Sequence, residues 1–256
     1  MSSLNDSLEK ITLTDVLLII LILTGIFIII SVWIHPISQD WLYVGVILYF
    51  IYRLRFFKEE FRSDFKNVFS KISPKSLLLI VFVNVFFSYG MLYLSIFTLN
   101  SFPWINNFIY SSTIPFMAIN SLGTVGSILS TVIVSPVCEE LLFRGVFLNR
   151  LKLIVPITFA IAITSILFGA LHSYGNIISA IVFGVCMCVI YLKTQNILTC
   201  ILAHVLNNAF AEIIYYVDYN NLIFTNQIFI VIFSVLAIIS LYLIIVSLNN
   251  EWKYLN

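Results

Sequence analysis

The apolar run over residues 13–34 is long enough to cross a bilayer, and seven more apolar runs follow it. A helix rises 1.5 Å per residue, so about 20 residues span the hydrocarbon layer. The further runs cover 41–55, 77–98, 117–136 with an extension beyond, 154–172, 177–192, 197–216 and 226–248. The chain is 61% hydrophobic and 10% charged. A soluble domain holds about 45–50% apolar and about 25% charged residues, so a soluble fold is excluded. The expectation is an all-α, polytopic membrane helix bundle of about eight transmembrane helices, forming one integral-membrane domain over 1–256. Residues 1–12 are polar with little positive charge, and the first run exceeds the core of a cleaved signal peptide. It therefore reads as a retained helix. Residues 100–116, with Pro103, Pro115 and several asparagines, read as a loop.

Basic residues fall on one side of this arrangement. Arg53, Arg55, Lys58, Arg62, Lys66, Lys71 and Lys75 lie between spans two and three. Arg150 and Lys152 follow span four, Lys193 follows span six, and Lys253 lies near the C-terminus. The loops near 35–40, 99–116, 173–176 and 217–225 contain no Lys or Arg. Cytoplasmic loops carry the Lys/Arg excess, so both termini and every basic loop are expected on the cytoplasmic side of the plasma membrane. Within the largest basic loop, Phe57, Phe61, Phe65, Phe69 and Ile72 recur at helical spacing. An amphipathic helix in the headgroup layer over about 56–72 is expected. A net charge of +1 points to no nucleic-acid partner. The four cysteines, Cys138, Cys186, Cys188 and Cys200, all lie in apolar runs and read as small buried hydrophobes.

Ionisable side chains at membrane depth are costly, and those that persist have partners and functions. Glu139, Glu140 and Arg144 stand in such a stretch, as do His172, His204 and Asn208. Glu140 and Arg144 are four apart, acid first, the favourable order for a pair on one helix face. Glu139 is turned about 100° from its neighbour on a helix of 3.6 residues per turn. Phe168 with His172, and His204 with Asn208, repeat the four-residue spacing on two other spans. Measured from the cytoplasmic turns, Glu139 and Asn208 lie at about 17–18 Å, His204 at about 12 Å and His172 at about 25–30 Å. Helix tilt of about 20° and an unwound end would bring them together. His35, beside Pro36, reads as a loop residue, and Glu212 has no assigned role.

Such a set suits hydrolysis of an amide. A desolvated Glu139 can deprotonate water. His172 and His204 can ligate Zn²⁺ or bond water and carbonyl directly. Asn208 can donate to the oxyanion, and Glu140 with Arg144 supports the site. Two alternatives stay open at this point: a non-catalytic immunity or scaffold protein, and a proton-coupled transporter. The transporter would show broken, repeated helices, and no repeat is visible.

Three motifs carry a family resemblance. Glu139-Glu140-Leu-Leu-Phe-Arg144, Phe168-Gly-Ala-Leu-His172 and His204-Val-Leu-Asn-Asn208, in this order, resemble the Glu-Glu-x-x-x-Arg, Phe-x-x-x-His and His-x-x-x-Asn motifs of the CPBP intramembrane endopeptidases. That family includes the type II CAAX prenyl proteases and bacteriocin-processing and immunity-associated proteins. The resemblance covers about 115–215. It implies an eight-helix bundle with a catalytic cavity open to the cytoplasm, and a metalloprotease in which Glu139, His172, His204 and Asn208 are catalytic. Glu140, Arg144 and Phe168 are then supporting residues. Heavy use of Ile, Asn, Phe and Tyr fits an AT-rich genome such as a Gram-positive bacterium's, where protein prenylation is not expected. The expected substrate is a membrane-associated peptide precursor, such as a bacteriocin or signalling peptide. Oligomeric state is left open.

Overall fold

The computed structural model describes residues 3–33, 38, 40–54, 58–102, 104, 124–218, 222 and 226–252. His35, Arg55, Phe57, Lys253, the start of the expected fourth span and most of the expected 100–116 loop lie outside the described residues. Among the described residues every regular element is helical. In hydrocarbon no water satisfies the backbone, and a helix satisfies it internally.

Each expected span is a helix: α2 Leu13–Trp33, α3 Asp40–Arg53, α5 Pro74–Ser101, α6 over 124–151, α7 Ile157–Ala170, α8 Ile177–Thr194, α9 Ile197–Val217 and α10 Gln227–Trp252. Two shorter α-helices, α1 Leu4–Leu8 and α4 Lys58–Lys66, and a 3-10 turn over Tyr174–Asn176 complete the described set. Among the described residues six helices are long and apolar enough to cross a membrane, while α3 and α7 are shorter. The outer helices α2 and α10 turn bare hydrocarbon outward, with Leu21 and Ile238 about 70% exposed. A soluble monomer does not carry apolar belts of this extent. The protein is an integral membrane protein.

In the interior, α5 packs against α8, α9 and α10, α7 pairs with α8, and α6 lies between α3 and α9. Close approach depends on small residues, as expected where lipid supplies no hydrophobic force between helices. A Cβ at Gly169 of α7 would lie 2.4 Å from Ile181 Cγ1 and 2.9 Å from the Ile177 carbonyl.

One end of the bundle is tied together by polar contacts. Lys152 pairs with Glu9 at 2.7 Å, Arg53 with Asp15 at 3.6 Å and Lys193 with Glu251 at 2.6 Å. Arg150 donates to the Ile11 carbonyl. Gln195, at φ 51, closes α8, and Asn196 caps α9 while donating to the Asp64 carbonyl. Helix α1 was not foreseen in the polar N-terminus. Ser3 and Asp6 form its capping box, which satisfies two orphan donors. Leu4, Leu8 and Ile11 are buried, with Leu8 against Gly145. Helix α4 covers only Lys58–Lys66 of the expected 56–72: Phe61 stacks on Phe65 at 6.4 Å and both are exposed, while exposed Phe69 and buried Ile72 follow in the turns beyond it.

Replacing Gly169 by Val is expected to cost about 1–3 kcal/mol through overpacking. Thermal unfolding in detergent should show a lower Tm. Gly25→Ala, where a Cβ meets nothing within 4 Å, should leave it unchanged.

Candidate active site

Helix α6 continues through Pro136, as its motif requires, but not as a uniform α-helix. Proline lacks an N–H and its ring clashes with the carbonyl four residues back. The turn just before it, Ser130–Val134, is a wider π-type turn, with Ser135 N–H bonded to the Ser130 carbonyl. A second π-type stretch, Leu141–Leu148, follows the two glutamates. Such wide turns concentrate at functional sites.

The two adjacent glutamates have opposite surroundings. Glu140 is fully buried, and its Oε1 accepts from Arg144 Nη1 at 2.9 Å and from His204 Nδ1 at 2.8 Å. A carboxylate only accepts, so the imidazole presents Nδ1–H to it. Arg144, also fully buried, donates to the Gly184 carbonyl at 3.2 Å and places its guanidinium 4.7 Å from the Phe168 ring centroid. The pairing with Arg144 was expected from spacing; the bond to His204 was not.

Glu139 faces the other way, into a cavity of about 600 Å³. The Ser135 hydroxyl donates to its Oε1, and its Oε2 lies 3.8 Å from His204 Nε2. With Nδ1 engaged by Glu140, His204 turns Nε2 toward Glu139. A water hydrogen-bonded to both, at about 2.8 Å from each, would sit in the cavity beside the 3.8 Å line that joins them.

His172 lies just beyond the end of α7, in a tighter turn where its N–H bonds the Gly169 carbonyl at 3.0 Å. This shortening of the helix end lets His172 reach the cavity. Its Nδ1 meets the Phe168 carbonyl at 2.9 Å, which leaves Nε2 as the free ring nitrogen. The Phe168 ring stands between the two imidazoles, 4.7 Å from that of His172 and 5.8 Å from that of His204. Asn208 donates to the Thr131 carbonyl at 2.9 Å, and its second amide hydrogen is not used by that bond. Glu139, Phe168, His172, His204 and Asn208 all line the one cavity. Glu212 lines it as well.

Sequence reasoning missed Ser135, Tyr43 and Asn84. Ser135 stands one turn before Glu139, so its spacing was a usable signal. Tyr43 and Asn84 line the cavity from α3 and α5, outside the motif-bearing segment, where nothing in the sequence distinguishes them.

Zn²⁺ on His172 and His204 would need a third protein donor in a catalytic site. Among the described residues no three His, Cys, Asp or Glu side chains are arranged to hold one ion. The four cysteines are buried and free. The donor set does not fit a resident zinc ion, so no step below is routed through one.

Residues 121–210 match a family model described as Rce1-like, type II CAAX prenyl endopeptidase Rce1-like. That segment builds α6, α7, α8 and most of α9, and it holds all seven motif residues. The match supports, over that segment, the resemblance to CPBP and CAAX proteases carried by the three motifs. No curated protein and no solved structure matches the chain.

Removing Arg144 alone should be severe, because it leaves the buried Glu140 carboxylate without its cation. Arg144→Met is expected to lose about 3–5 kcal/mol. The double variant Glu140→Gln/Arg144→Met, which removes both charges, should recover part of that loss in thermal unfolding. A double variant less stable than Arg144→Met would contradict the pairing.

Proposed function

We propose that this membrane protease is an intramembrane endopeptidase that uses Glu139 to activate water against a peptide bond of a membrane-associated precursor. The observation that carries this reading is the gap of 3.8 Å between Glu139 Oε2 and His204 Nε2 inside the shared cavity. Glu139 removes a proton from water as the oxygen attacks the carbonyl carbon. The C–O bond forms, and the carbonyl π pair moves to the oxygen. The free N–H of Asn208 receives that developing charge. His204, fixed by Glu140, and His172, fixed by the Phe168 carbonyl, orient the water and the peptide group. Glu139 then returns its proton to the nitrogen, and the C–N bond breaks. Preorganisation contributes to the rate, because Glu140 and the Phe168 carbonyl already hold the two imidazoles.

The cavity walls suit a peptide. Leu142, Phe143, Phe168 and Phe183 give apolar surface, while Asn84 and Asn207 give amide edges for main-chain groups. A bacteriocin or signalling-peptide precursor in a Gram-positive plasma membrane, with both protein termini in the cytoplasm, is the setting we assign to it. A prenylated substrate is not required by any of these contacts.

Glu139→Ala should abolish the peptides that the parent strain releases from its membranes, read by mass spectrometry of the membrane peptidome. Identical profiles would favour a non-catalytic binding role. For purified protein acting on a peptide found this way, Glu139→Gln should slow cleavage by about 10²–10⁴-fold and Asn208→Ala by about 10²–10³-fold. Exhaustive treatment with a zinc chelator should leave the rate unchanged; a loss restored by added zinc would contradict the metal-free mechanism.

A further inference from the structure

The cavity lies toward one end of the bundle, and that end is not the basic one. Its lining residues on α7 are Phe168, followed by Leu171 and His172 just past the helix end. Those on α8 are Ser179, Ala180 and Phe183, all in its first two turns. Ser173 and Asn176 of the intervening turn line it too, and Leu171 and Ser173 are exposed there.

Toward the opposite end the interior is closed. Arg144 and Glu140 are fully buried, and beyond them Leu148, Leu8, Tyr191 and Ile197 are sealed at 0% exposure. Asn149 bridges to the Tyr191 hydroxyl at 2.7 Å across this packing. No lining residue of the cavity belongs to α1, α4 or the 151–156 turn.

Lysine and arginine mark the closed end. Apart from Arg144, every Lys and Arg of the chain falls before α2, from the last residue of α3 to the second residue of α5, around the α6–α7 and α8–α9 turns, or just after α10 in sequence. The Lys152–Glu9, Arg53–Asp15 and Lys193–Glu251 pairs gather these segments together. Short loops rich in Lys and Arg stay in the cytoplasm.

From these two asymmetries we infer that the cavity opens to the non-cytoplasmic side of the membrane, in place of the cytoplasmic opening that the family resemblance implies. Its substrates are then peptide segments that have already crossed, or that emerge from the outer half of the bilayer. This rests on the reading of the cavity as the hydrolytic site. It narrows the substrate class to exported or membrane-anchored chains with a cleavable bond near the outer leaflet. Cytoplasmic precursors are excluded.

Cysteine labelling of the full-length protein in intact cells tests this. Cysteines are placed at Ser173 or Asn176 at the mouth, and at Ser70 at the basic end, in both the parent and the Glu139→Ala background. A membrane-impermeant maleimide should label positions 173 and 176 without permeabilisation, and position 70 only after it. Labelling in denaturant counts total thiol, and the unsubstituted parent gives the background of the four buried cysteines. The reverse pattern, or protection of both mouth positions until the cells are opened, overturns the inference. Labelling is independent of hydrolysis. An unchanged peptidome in Glu139→Ala would therefore sink the proteolytic reading and leave the sidedness standing.

Discussion

A buried carboxylate, Glu140, organises this molecule's interior. It is fully enclosed among helices that elsewhere offer mostly hydrocarbon, and it is compensated by Arg144 from its own helix and His204 from another. An enclosed charge without such partners would cost several kcal/mol. The partners are therefore obligatory, and meeting them fixes the rotation of α6 and its contact with α9. Arg144 extends the constraint to α8 through the Gly184 carbonyl and to α7 through the face of Phe168. Four helices are thereby set around one ionised group.

The same interaction divides labour between neighbouring glutamates. Two carboxylates one residue apart repel if they share a face, but a helix turns them about 100° from each other. Glu140 is consumed by structure, while Glu139 meets the Ser135 hydroxyl, the His204 Nε2 edge and the cavity. His204 joins the two environments, with Nδ1 on the structural glutamate and Nε2 toward the reactive one. The imidazole is held in one orientation by the group that holds the bundle. Chemistry and stability are coupled through that ring.

Much of this was legible in the sequence, for reasons that differ by element. The spans were legible because the bilayer imposes length: seven of the eight runs lie on helices whose ends differ by a few residues, while the start of the fourth lies outside the described residues and its helix runs on to Leu151. The Glu140–Arg144 pair was legible because it is local, four residues apart on one face. The meeting of Glu140 with His204 was not, since 64 residues separate them and only packing sets their distance. Helix α1 was missed because its buried Leu4, Leu8 and Ile11 are spread among polar residues, too short a pattern to read as an element. Tyr43 and Asn84 reach the cavity from helices without any motif. The zinc expectation rested on residue types, and among the described residues no three His, Cys, Asp or Glu side chains gather to hold one ion.

The account depends most directly on the Glu140–His204 hydrogen bond, and proton NMR of the protein in detergent or nanodiscs can observe it. A charge-assisted bond of 2.8 Å shielded from water should give a far-downfield, slowly exchanging Nδ1–H resonance. The account predicts that this resonance vanishes in His204→Ala, shifts strongly upfield in Glu140→Gln, and persists in Glu139→Gln. A His204 resonance indifferent to Glu140 and sensitive only to Glu139 would show that the buried carboxylate does not hold the ring, and would contradict the central claim.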